Sequence, residues 1–155
     1  MLCAYSNQTE QTVNPGESAI FTMVEVPCRE GYVKPRLGAG TFLLAGGPQK
    51  RRKCPCCQNN TREYLVDVKA DIAVPTGGTA GEITVALMLD GSTVQATTMT
   101  ATPAAVEEYF NVSGAMPIDV FRGCCESVSF RNTSNQPILL RNLVIVFDLP
   151  ELNRR

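Results

Sequence analysis

The chain has 155 residues, with fourteen basic and fifteen acidic side chains, seven cysteines, and neither histidine nor tryptophan. That length suits one domain able to bury roughly two-thirds of its unfolded surface, and the near-zero net charge excludes capture of nucleic acid or an anionic membrane by a bulk field. The lack of histidine also excludes the usual Ser-His and Cys-His nucleophile arrangements.

Residues 1–16, rich in Gln and Asn and closed by Asn14-Pro15-Gly16, read as an extended arm ending in a turn. Its first residues have neither the basic start nor the apolar core of a secretory signal, so the expectation is a protein made in the cytosol without export by that route. Ser18–Val26 reads as a strand stopped by Pro27. The glycine-rich segment 29–40 is weakly specified, and a brief strand is expected at Thr41–Ala45. The stretch 46–61 has the composition of an exposed loop and carries the basic run Lys50-Arg51-Arg52-Lys53 before Cys54-Pro55-Cys56-Cys57. Four charges at a loop tip are read as solvated.

The clearest signal follows. Tyr64, Val66, Val68, Ala70, Ile72 and Val74 alternate with residues that include Asp67, Lys69 and Asp71, which marks a strand with one buried and one wet face. Ile83–Leu89 forms a second apolar run ending at Asp90-Gly91, a strong hairpin signal. Thr-rich Ser92–Thr102 reads as the returning strand. Further strands are expected at Ala104–Val112, Pro117–Arg122 and Glu126–Arg131, with a loop at 132–137. The closing strand Ile138–Leu149 is apolar on both faces beyond Asn142, so Leu143, Ile145 and Phe147 are the expected assembly face. Eight to ten short strands without a convincing helix predict an all-β fold, an antiparallel two-sheet jelly-roll sandwich. Its expected organisation is an N-terminal arm at 1–16 and one domain at 17–155.

Seven cysteines without a signal peptide fit three settings: a metal site in a reduced cytosol, a virus particle released by lysis, or a spore-surface assembly. Cys54, Cys56, Cys57, Cys124 and Cys125 could supply four thiolates to zinc, but their Cys-x-Cys-Cys and Cys-Cys spacings differ from paired Cys-x-x-Cys knuckles. Adjacent cysteines point different ways, which favours disulfides, within or between subunits, among Cys3, Cys28, Cys54, Cys56, Cys57, Cys124 and Cys125. The odd total leaves one thiol over, and Cys3 on the arm is the candidate to reach a neighbouring subunit. Glu107 and Glu108 face opposite ways in a strand and make no acid/base pair. No catalytic residue, cofactor site or metal site is therefore assigned, and an enzyme is not expected.

Tyr64-Leu65-Val66, the Gly81–Gly91 strand and hairpin, and Asn142-Leu143-Val144-Ile145-Val146 resemble the jelly roll of complement globular heads, tumour necrosis factors and the trimeric caps of collagen-like spore-surface glycoproteins. Ala73-Val74-Pro75-Thr76-Gly77-Gly78-Thr79, the string from Thr102 to Val112 and Arg122-Gly123-Cys124-Cys125 resemble uncharacterised proteins of Firmicutes and their phages. The resemblance implies a homo-oligomer, a trimer or larger array, and brings no catalytic residues. Together these readings predict a structural virion protein of a tailed phage, a capsid decoration or head-fibre subunit at the virion surface, with the major capsid protein as partner and neither nucleic acid nor membrane. The alternatives are a disulfide-linked subunit of a spore or cell-surface appendage fibre, and a carbohydrate- or receptor-binding module.

Overall fold

The computed structural model describes residues 2–29, 31–48, 61–123 and 125–149. In these residues the chain forms twelve strands and two single 3-10 turns, at Leu37–Ala39 and Gln95–Thr97. The strands are β1 (Leu2–Asn7), β2 (Gln11–Val13), β3 (Met23–Val26), β4 (Val33–Arg36), β5 (Thr41–Ala45), β6 (Thr61–Ala73), β7 (Ile83–Leu89), β8 (Ser92–Thr93), β9 (Met99–Ala101), β10 (Phe110–Phe121), β11 (Cys125–Asn132) and β12 (Ile138–Asp148).

They build two six-stranded sheets. The first runs β10-β6-β12-β1-β3, with β2 also paired to β12; the second runs β4-β5-β11-β7-β8, with β9 also paired to β7. Every recorded pairing between strands is antiparallel. This is the all-β jelly-roll sandwich that the alternation of β6 and the β7 hairpin anticipate. The turn between β7 and β8 uses Asp90 at φ 50° and Gly91 at φ 83°, the left-handed pair that matches the strand twist of a two-residue hairpin.

Strand alternation sorts the side chains into one apolar core. From β6, Tyr64, Val66, Val68, Ala70 and Ile72 turn inward. Tyr5, Phe21, Phe42 and Phe147 meet between the sheets, with Phe42 centroids 4.9 Å from Tyr5, 4.9 Å from Phe21 and 5.1 Å from Phe147. Offset and edge-to-face pairs of this kind each add about 0.5–1.5 kcal/mol beyond the area they bury.

Local expectations need correction at three places. The segment 1–16 is extended, but β1 lies inside the first sheet between β12 and β3, from Leu2↔Asp148 to Asn7↔Leu143, so it is occupied within its own chain. Its Cys3 and Tyr5 are buried, and satisfying their burial outweighs the loose composition of the segment. The 104–112 strand begins only at Phe110, after a left-handed Glu107 at φ 60° whose N–H donates to the Val74 carbonyl at 2.7 Å. From there β10 runs unbroken through Pro117, which an edge strand tolerates because its outer side needs no donor. The 92–102 strand is interrupted by the turn at Gln95–Thr97, and β8 and β9 return separately to β7.

Candidate functional site

The closing strand decides which surface is available for contact. Leu143, Ile145 and Phe147, expected as the assembly face, are fully buried in the sandwich core. The reason is a change of parity. Ile138 and Leu140 point inward on β12, but the pairing with β6 shifts between Arg141 and Val144, where Asn142 takes a left-handed φ of 53°. The bulge adds one residue, so beyond it the odd positions face the core and Val144, Val146 and Asp148 face out.

Registers across the first sheet give its outer face row by row. Ala115, Asp67, Val146, Ala4 and Val26 share one row; Ser113, Lys69, Val144, Ser6 and Met23 share the next. Pro117, Leu65, Asp148 and Leu2 form a third. Small side chains at Ser113 and Ala115 beside the branched Val144 and Val146 leave a groove of about 310 Å³, flanked by Asp67 and Lys69. Leu2 and Met23 are each 51 % exposed, and Phe121 at the end of β10 is 62 % exposed. Apolar exposure concentrated on one sheet face and its edges is the pattern of a contact surface rather than of scattered surface leucines.

Toward the other end of the same face lies a polar group built on β6, β10 and β12. The Asp71 carboxylate accepts from Asn111 Nδ2 at 3.0 Å and from Asn142 Nδ2 at 2.9 Å. The Asn142 bond, then the Asn111 bond, hold that carboxyl below its usual value. Tyr109 donates its hydroxyl to Glu10 Oε2 at 2.6 Å, and the Arg141 guanidinium sits 3.7 Å over its ring. Burial, then the bond and charge of Glu10, push the Tyr109 phenol up to about 12. This constellation fixes β2 and β10 against β12, and its one hydroxyl, on Tyr109, is held protonated by burial and by the Glu10 charge rather than activated as a nucleophile.

At the opposite end of β6, Tyr64 directs its hydroxyl to the Ala45 and Tyr32 carbonyls, while Arg62 donates to the Ala45 carbonyl at 3.3 Å and lies 4.2 Å over the Tyr32 ring. Burial raises the Tyr64 phenol above its usual value. The group closes the sandwich beneath the Gly46-Gly47 segment, where a Cβ on Gly46 would stand only 1.9 Å from the Phe121 carbonyl oxygen.

Of the cysteines, Cys3 is bonded to Cys28, joining β1 to the chain just beyond β3. The expectation that Cys3 is the thiol left for a neighbour is thereby corrected: burial of β1 brings it to 4.9 Å in Cα separation from Cys28. Cys125 is exposed at the start of β11. Cys54, Cys56, Cys57 and Cys124, together with the basic run 50–53, lie outside the described residues. Among the described residues no group of three or more His, Cys, Asp or Glu side chains is placed to hold a metal ion. Sequence reading missed Val144 and Val146 because their parity depends on the Arg141-Asn142 bulge; the interruption of an apolar run by those two polar residues was the available signal.

No family model and no curated protein sequence matches the chain. Among solved structures it is similar to the globular domain of zebrafish complement 1qA protein, with TM-score 0.60 and 10% identity over 94% of this chain and 92% of that one. It is similar to Eiger TNF from S. frugiperda, with TM-score 0.64 and 11% identity over 97% and 92% of the two chains. For murine APRIL the TM-score is 0.58 and the identity 9%, over 96% and 98%. At these identities the likeness establishes the jelly-roll fold that complement globular heads and tumour necrosis factors share.

Proposed function

We propose that this chain is a structural, non-enzymatic subunit that acts by packing against copies of itself, three to an assembly, at the surface of a tailed-phage particle. There it serves as a capsid decoration or head fibre seated on the major capsid protein. The observation that carries self-assembly is the outer face of the first sheet, where Leu2, Leu65, Ala115, Pro117, Val144 and Val146 lie in adjoining rows around an open groove. The exposed residues of β3 extend it to an open sheet edge, which proteins normally cover or blunt with charge. A second copy suits this groove in charge as well as shape: Asp67 and Lys69, two residues apart on β6, provide each subunit with one charge of either sign to exchange across a symmetric contact.

Placement on a phage head rests on the short strings that resemble proteins of Firmicutes and their phages, and on an internal staple that suits a chain made under reducing conditions and oxidised after lysis. The appendage-fibre reading loses support from the same bond, since it takes Cys3 out of intersubunit bridging. Antibody-gold raised against the chain tests the placement on purified particles: label on the heads is expected. Label only on tails, or none on intact particles, overturns it.

A further inference from the structure

The second sheet carries a different kind of surface from the first. On its outer face β4 presents Lys34 and Arg36, β5 presents Thr41 and Leu43, and β11 presents Ser127; with Pro35 they line a cleft of about 300 Å³. Registers fix the layout: Lys34 lies opposite Leu43, which lies opposite Ser127, and Arg36 lies opposite Thr41. Adjacent strands are about 4.8 Å apart, so the row from Lys34 to Ser127 spans about 10 Å.

Charge is graded along that row. Lys34 and Arg36, two residues apart on one face, have no carboxylate partner among the described residues. At the far end Asp90 Oδ1 accepts from the Ser127 N–H at 2.8 Å and from its hydroxyl at 3.3 Å. The Ser127 hydroxyl spends its proton on Asp90 and keeps its lone pairs for an incoming donor. Between the two ends Leu43 is 37 % exposed and, with Pro35 and Phe42 also lining the cleft, provides an apolar floor.

We infer that this cleft binds a sugar ring bearing a single carboxylate. The cations at β4 would take the carboxylate, with Arg36 able to offer two parallel donors. The C–H face of the ring would cover Leu43, and ring hydroxyls would donate toward Ser127 and Asp90. The cleft stands at the small end of the range for ligand sites, which suits one ring rather than a long chain. A polyanion is disfavoured because Asp90 closes the far end with like charge.

An added peptide strand is disfavoured by the edge itself. The Ala45 N–H donates to the Tyr32 carbonyl, and since paired residues alternate in an antiparallel ladder, Lys34 and Arg36 point their backbone groups at β5 while Pro35 faces outward. Pro35 has no donor to offer there. The site lies on the sheet opposite the proposed assembly face, so it stands whether or not that face associates.

Three probes titrated into 15N-labelled full-length protein test this by amide shift changes: methyl glucuronide, methyl glucoside and acetate. The first two differ in the carboxylate, and acetate lacks the ring. Saturable shifts centred on residues 34–43 and 127 are expected with methyl glucuronide at a Kd on the order of 1 mM, and both other probes should bind about tenfold more weakly or worse. The double variant Lys34→Gln, Arg36→Gln alters only exposed edge side chains and should weaken methyl glucuronide about tenfold while leaving the thermal midpoint unchanged. Equal response to the glucoside, equal response to acetate, shifts lying elsewhere, or an unaltered Kd in the double variant would each overturn the assignment.

Discussion

Two neighbouring residues on β12 should behave in opposite ways when changed. Phe147 faces Tyr5 and Phe42, at centroid distances of 6.2 Å and 5.1 Å, and is fully buried. Its strand partners are Cys3 on β1 and Val66 on β6, so a void there opens at the junction of three strands. Truncation to alanine removes the ring and leaves a cavity, a change that costs about 3–5 kcal/mol. At roughly 2–4 °C per kcal/mol for a chain of this size, the melting midpoint should fall by about 10 °C. Val146, one residue earlier, faces out beside Asp67. Val146→Lys should leave the fold within about 0.5 kcal/mol of wild type, since the lysine can lie along Asp67, yet it puts a charge in the proposed contact and should dissociate the assembly. Thermal and urea melts below the dissociation concentration read the first effect, and light scattering behind size exclusion reads the second. If Phe147→Ala dissociates copies without lowering the urea midpoint, while Val146→Lys unfolds the chain, the assignment of faces on β12 is reversed.

Other outcomes follow from particular bonds. Replacing Cys3 and Cys28 together with serine opens a covalent loop with a sequence separation of 25. It should lower stability by about 3.5 kcal/mol on the chain-entropy model, read as a lower urea midpoint that added reductant does not lower further. Tyr109 should titrate near pH 12 by ultraviolet difference absorbance. Because its folded value lies above the unfolded 10.0, its contribution to stability is whole below pH 10 and is lost as pH rises from 10 towards 12; Tyr109→Phe should remove both that titration and that slope. Asp71 has the reverse sign, its stabilisation being present above the unfolded 3.8 and lost as pH falls through the lower folded value. Asn142→Gly keeps the left-handed backbone but deletes the bond that does most to hold Asp71 down. Carbon-detected titration should then find the Asp71 carboxyl closer to 3.8, and an unchanged midpoint would contradict the hydrogen-bond account.

The sandwich was legible wherever one face of a strand is wet. In β6 the alternation of Tyr64, Val66 and Val68 with Asp67 and Lys69 reports burial directly, and Asp90-Gly91 states its own turn. Legibility failed where tertiary contacts overrule composition. The loose-looking Leu2–Asn7 becomes an interior strand because β12 and β3 supply hydrogen bonds on both sides. Val33–Arg36 escapes a propensity reading through Pro35, which only an edge position accommodates. On β12 the apolar run marked a strand but not which of its side chains face outward, since a single left-handed residue, Asn142, reverses which side chains reach the core. The Lys34 and Arg36 cleft is invisible in sequence because it needs the registers of three strands separated along the chain.

In the proposed assembly, copies of this chain meet through the outer face of the first sheet. Sedimentation equilibrium of the wild-type protein measures that most directly: the predicted mass is about three times the 16.8 kDa of one chain, falling to a single chain in Val146→Lys. A wild-type protein that sediments as one chain across the whole concentration range, with Val146→Lys indistinguishable from it, would contradict the account.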